Sequence, residues 1–79
     1  MKSSQKPFRV LIVDDHPLIR VGLTALLSRQ PDMEVCGEAT DVDEAIAQVA
    51  SLHPALIILD ISLHSGTGFD VIKRLRQGQ

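Results

Sequence analysis

Two tetrads constrain this chain more than anything else in it. Val10-Leu11-Ile12-Val13 and Leu56-Ile57-Ile58-Leu59 are unbroken and rich in β-branched residues, and each runs straight into acid, Asp14-Asp15 after the first and Asp60 after the second. Apolar runs this short and continuous read as strands covered on both faces. They predict strands over about 8–13 and 55–60. A weaker run, Glu34-Val35-Cys36-Gly37-Glu38, is bracketed by charge and reads as a short strand, about 34–38, nearer a sheet edge.

Helical periodicity fills the intervals. Ile19, Leu23, Leu26 and Leu27 share one face of a helix over about 17–29. Pro17 suits its first turn, where no N–H is needed, and Pro31 marks its stop. A second helix, about 42–52, starts behind Asp41 with Glu44 three residues on, a capping-box-like spacing. Its inward stripe is Val42, Ala45, Ile46 and Val49, and His53-Pro54 ends it. A third helix, about 68–76, would turn Phe69, Ile72 and Leu75 inward and carry Lys73, Arg74 and Arg76 where the helix dipole favours cations. Strands alternating with helices imply parallel pairing and right-handed crossovers, so the fold class is α/β with helices on both faces.

Composition narrows what such a fold can serve. At 79 residues the chain is one small domain. With 44% hydrophobic and 23% charged residues it is no disordered tail. Phe8 and Phe69 are its only aromatics, so the core is aliphatic and there is no stacking platform for single-stranded nucleic acid. A net charge of −2 advertises no basic face for DNA or anionic lipid. Cys36 is alone, which excludes an intrachain disulfide or a cysteine zinc cage and suits a reduced, cytoplasmic setting; it reads as a small core residue. No apolar run approaches the roughly 20 residues that span a bilayer. Residues 1–7 are polar and read as a flexible lead-in.

In an open parallel sheet, ligands bind beyond the carboxyl ends of the strands. If the first and third strands are neighbours, Asp14, Asp15 and Asp60 meet there. Three carboxylates so close cannot all stay ionised without relief, from a raised pKa, a basic side chain or a hard cation. An oxygen-only donor set points to Mg²⁺ rather than zinc. Helix capping accounts for Asp15 but leaves Asp14 and Asp60 unexplained.

The stretch from Arg9 through Asp14-Asp15-His16-Pro17, together with Leu59-Asp60 and Gly68 eight residues later, resembles the receiver domain of bacterial two-component response regulators. Asp15 to Leu23 resembles the nitrate-regulator, LuxR-type subfamily. The resemblance covers about residues 8–77 and implies a flavodoxin-like parallel sheet of strand order 2-1-3, limited to three β-α units. It implies that Asp60 is the phosphoacceptor, phosphorylated by a sensor histidine kinase with Mg²⁺. It also implies that Asp14, Asp15, Asp60 and the backbone carbonyl of Ser62 hold the metal. Such a domain is a signalling module with self-catalysed phosphoryl transfer, not a turnover enzyme. A haloacid-dehalogenase-type reading wants a second Asp two residues after the nucleophile, where this chain has Ser62. His64 stands where the family usually has proline and reads as a solvated loop residue; His16, directly after the acidic pair, reads as the opening of the first helix rather than as a contact to the phosphorylation site.

The family pattern has five β-α units, a Ser or Thr after the fourth strand and a Lys after the fifth; Lys73, on the third helix, does not map onto that lysine. This sequence therefore reads as a partial receiver with no DNA-binding output domain, slow to accept a phosphoryl group and without direct nucleic-acid binding. In the family order its third strand becomes an edge, with neither charge nor proline to blunt it. That predicts self-association through the third strand, most simply as a two-fold dimer. The alternative to a working phosphoacceptor is accordingly a signalling-incompetent fragment whose main behaviour is assembly.

Overall fold

A computed structural model describes residues 7–63 and 66–78. Residues 1–6 of the predicted lead-in, and His64, lie outside the described residues. The chain runs β1 (Phe8–Val13), α1 (Pro17–Ser28), β2 (Met33–Ala39), α2 (Val42–Leu52), β3 (Leu56–Leu59), β4 (Ser62–Leu63), β5 (Gly66–Thr67) and α3 (Gly68–Gln77). β1 lies between β2 and β3, parallel to both, in the order 2-1-3.

The central place of β1 explains its sequence. Val10, Leu11, Ile12 and Val13 are wholly buried, as a strand with a neighbour on each side and helices above and below requires. Leu11 and Val13 belong to the main core with Ala39, Val42, Ala45, Leu63 and Val71, and Ile46, Val49, Ile57, Leu59 and Leu75 pack around it. This core fills the space between the sheet and α2 with α3. β2 pairs with β1 through a register shift, Val10 facing Val35 and Leu11 facing Gly37. Cys36 is the extra residue of that bulge and only half-buried, rather than a core side chain.

The helix starts are built as their sequences suggest, with one difference. Asp41 caps α2 by accepting from the Glu44 N–H at 2.8 Å. The Glu44 carboxylate, however, reaches to Thr40, whose main-chain N–H and hydroxyl both donate to it. Thr67 and Asp70 form a reciprocal capping box on α3. At the other end of α2, His53 closes the helix in the left-handed conformation, φ 50° and ψ 59°, and the Arg9 guanidinium donates to the Leu52 carbonyl.

Three expectations about burial fail, for one reason. β3, the sheet edge that the family order implies, is only partly covered: Ile57, Ile58 and Leu59 are half-buried and Leu56 is 45% exposed. On α3 the inward residues are Val71 and Leu75, while Phe69 and Ile72 point to the open side beyond β3. On α1, which packs on β2, no residue is fully buried, and Ile19 and Leu26 stand more than half exposed. In each case an apolar stripe was read as facing a neighbour, and among the described residues no neighbour stands there. The short antiparallel hairpin of β4 and β5 was not anticipated at all; two-residue strands carry no periodicity to read.

Candidate functional site

The ladder of hydrogen bonds that holds the sheet continues one residue past β1 and β3, and this places the acids. The Asp14 N–H donates to the Ala39 carbonyl of β2 at 2.9 Å, and the Asp60 N–H donates to the Val13 carbonyl of β1 at 2.9 Å. Asp14 and Asp60 are thereby fixed side by side at the carboxyl edge of adjacent strands, and Asp15 follows Asp14. One oxygen from each of these three carboxylates and Nδ1 of His16 all lie within 4.8 Å of one another.

Two unit charges about 4 Å apart repel by roughly 4 kcal/mol at an effective dielectric of 20. The cluster needs a cation, and the structure supplies one that the sequence reading missed. His16 Nδ1 stands 2.7 Å from Asp14 Oδ1, 3.1 Å from Asp15 Oδ1 and 3.4 Å from Asp60 Oδ2. His16 is the N-cap residue of α1 but makes no side-chain cap hydrogen bond, so its ring is free to turn to the acids. Its main-chain N–H also donates to Asp14 Oδ1, at 2.8 Å. The hydrogen bond to Asp14 raises the His16 pKa above its ordinary value; desolvation opposes it, and the charges of Asp15, Asp14 and Asp60 add to the rise. The signal was position: a histidine directly after two acids at a strand end is within reach of both.

Other groups brace the site. Arg20 of α1 donates through Nη1 to the Asp14 carbonyl at 2.8 Å and through Nε to Glu38 at 3.1 Å, tying α1 to the ends of β1 and β2. Ser62 reaches the site through its N–H, which donates to Asp60 Oδ1 at 3.2 Å, while the residue pairs with Thr67 in the hairpin. The hairpin is drawn against Asp60 by Gly68, whose N–H donates to the Ile61 carbonyl at 2.7 Å.

Residues 10–79 match the response regulator receiver domain. The chain belongs to this family. It is 39% identical over 75 residues to the nitrate/nitrite response regulator protein NarL of Escherichia coli K12, covering 95% of this chain and 35% of that protein. It is 40% identical over 67 residues to the transcriptional regulatory protein LiaR of Bacillus subtilis, covering 85% of this chain and 32% of that one. Among solved structures, the signal receiver domain of the NarL response regulator of Mycobacterium tuberculosis superposes with a TM-score of 0.88 at 31% identity, covering 94% of this chain and 60% of that domain. The chain thus spans about a third of the length of the curated relatives it matches, all of it within the receiver domain of LuxR-type response regulators. No helix among the described residues is long and apolar enough to cross a membrane.

The family implies Mg²⁺ at the acidic cluster, and the residues fit it. Three carboxylates converge, and Asp60 Oδ2 is a buried oxygen that accepts no hydrogen bond. A buried acceptor without a donor costs about 1–3 kcal/mol, more when charged, and a hard cation removes that cost.

Proposed function

We propose that this chain is the phosphoacceptor part of a response regulator, with Asp60 receiving a phosphoryl group from the phosphohistidine of a sensor histidine kinase. One observation carries the reading: Asp60 Oδ2 is buried beside Asp14 and Asp15 and takes no hydrogen bond, so it is the oxygen left to react. In the transfer, a carboxylate oxygen of Asp60 attacks phosphorus, an O–P bond forms, and the N–P bond to the kinase imidazole breaks. A bound Mg²⁺ would neutralise charge on the phosphoryl oxygens. Asp14, Asp15, Asp60 and the backbone carbonyl of Ser62 would hold it. The Ser62 N–H keeps the Asp60 carboxylate turned to the site through Oδ1. The module turns over no substrate of its own. On this reading residues 8–77 form a partial receiver behind a lead-in of residues 1–7, and the protein works in the cytoplasm, where the kinase's catalytic half and a lone thiol are both at home.

Incubation with acetyl phosphate and Mg²⁺ followed by intact mass measurement tests the proposal. A gain of one phosphoryl group that is lost in Asp60→Asn supports it; no gain in the folded chain refutes it.

A second observation supports assembly of the 79-residue chain. Ile57, Leu59, Ile61, Phe69, Ile72 and Leu75 line an apolar groove of about 470 Å³ along the outer edge of β3. Ile61 and Phe69 are 59% and 64% exposed. Apolar surface next to a bare strand edge favours pairing with another chain, and a second copy offering the same edge fits it by two-fold symmetry. Sedimentation at micromolar concentration gives a dimer on this reading and a monomer otherwise.

A further inference from the structure

Arg20 reaches the acids through the main chain behind them. Its Nη1 donates to the Asp14 carbonyl at 2.8 Å, while the Asp14 N–H is tied to Ala39 at 2.9 Å, so the chain is held on both sides of the Asp14 Cα. The held carbonyl belongs to the peptide unit that joins Asp14 to Asp15. Peptide units are planar, so fixing the carbonyl fixes the whole plane. The carboxylates of Asp14 and Asp15 hang from the two Cα atoms at its ends. A turn of that plane would swing one acid relative to the other and to Asp60.

The guanidinium is itself held. Nε donates to Glu38 Oε1 at 3.1 Å, and Thr24, one turn further along α1, donates to Glu38 Oε2 at 3.2 Å. Glu38 stands opposite Ile12 in the sheet, and its carbonyl accepts from Gln48 Nε2 of α2. Arg20 is thus a fork between acceptors on β2 and at the end of β1, with only 18% of its side chain exposed. We propose that Arg20, oriented by Glu38, is a positioning residue for cation binding by Asp14, Asp15 and Asp60. The inference rests on the reading of these acids as a cation site. Charge and positioning pull in opposite directions here. By charge alone a guanidinium repels a divalent ion, and its removal would strengthen binding. By holding the Asp14–Asp15 peptide it preorganises the ligands, and its removal weakens binding. Glu38 at 3.1 Å cancels most of the Arg20 charge as felt at the acids, so positioning wins.

The test measures Mg²⁺ affinity by calorimetry for the unaltered chain, Arg20→Met, Arg20→Lys and Glu38→Ala, with urea unfolding of each. Methionine keeps an apolar stem against α1 and β2 but has no donor, so Arg20→Met is expected to fold and to bind Mg²⁺ about ten-fold more weakly. Arg20→Lys should fall between it and the unaltered chain, because one nitrogen on a flexible stem cannot span both acceptors. Glu38→Ala should weaken binding less, and should add little to Arg20→Met, since Glu38 acts through Arg20. The Asp15 amide resonance, across the held peptide, should move in both Arg20 variants, while that of Ile57 stays. Unchanged or tighter Mg²⁺ binding in folded Arg20→Met, or weaker binding in Arg20→Lys than in Arg20→Met, overturns the inference while the cation site stands. Failure of Mg²⁺ to bind the unaltered chain overturns the cation site and the inference together.

Discussion

Gly68 lies so close to Asp60 that a Cβ added to it would stand 2.7 Å from the Asp60 carbonyl oxygen, with Leu59 Cγ and Ile61 Cα at 3.1 and 3.2 Å. Two of these three neighbours are backbone atoms, which cannot step aside as a side-chain tip can. The same glycine donates its N–H to the Ile61 carbonyl and begins α3, so it couples the helix to the segment that carries the acceptor. Gly68→Ala is expected to destabilise the chain by roughly 1–3 kcal/mol through overpacking, and to weaken Mg²⁺ binding by moving Asp60. Urea unfolding and calorimetry on the same variant check the two effects.

That contact shows where the sequence was legible. The tetrads at Val10 and Leu56 announced two strands because continuous apolar character survives without any knowledge of neighbours. The acids that follow them announced the site because parallel strands end at one edge of the sheet, while the neighbouring of the first and third strands there is what the family resemblance implies. Facing was harder to read. The sequence pattern turns Phe69, Ile72 and Leu75 inward, and only the position of β3 at the edge decides that Val71 is wholly buried and Phe69 exposed. His16 was harder still, since its sequence neighbours suit a helix opening, and its ring direction depends on a cap it does not make.

The start of α2 carries a pH dependence. The main-chain N–H of Thr40, and after it the Thr40 hydroxyl, donate to Glu44 and hold its pKa below the ordinary 4.5. The unfolded chain therefore binds the proton at higher pH than the folded one. The stabilisation is fully present above about 4.5 and is lost as pH falls through the lower folded value. Glu44 is exposed, so its contribution is a few tenths of a kcal/mol. Glu44→Gln should be less stable than the unaltered chain at pH 7, with the gap closing as pH falls below 4.5. Asp41→Ala, which removes the cap itself, should cost about 1 kcal/mol at neutral pH. Denaturant unfolding across pH measures both.

His53 is the one non-glycine residue with positive φ among those described. A residue with a Cβ pays roughly 1–2 kcal/mol to sit in the left-handed region, and glycine pays far less there. Its greater freedom in the unfolded chain offsets part of the gain. His53→Gly is expected to stabilise the chain by roughly 0.5–1 kcal/mol, seen as a higher urea midpoint at unchanged slope.

The groove along β3 separates two faces that both expose apolar side chains. Phe69 and Ile72 flank the bare strand edge, whereas Leu18, 85% exposed, lies on α1. If two copies meet through β3, charge placed in the groove must be desolvated on association, while charge on α1 stays in water. Phe69→Glu combined with Ile72→Glu is then expected to raise the dimer dissociation constant by about ten-fold or more, at about 1.4 kcal/mol per decade. Leu18→Glu should leave it unchanged. Phe69 and Ile72 are already 64% and 46% exposed in the single chain, so the paired substitution should cost little folding stability, and a loss of association will not be a loss of fold. Sedimentation over a concentration series, with circular dichroism on the same samples, reads both quantities. Dissociation by Leu18→Glu and not by the groove variant would move the contact from β3 to α1.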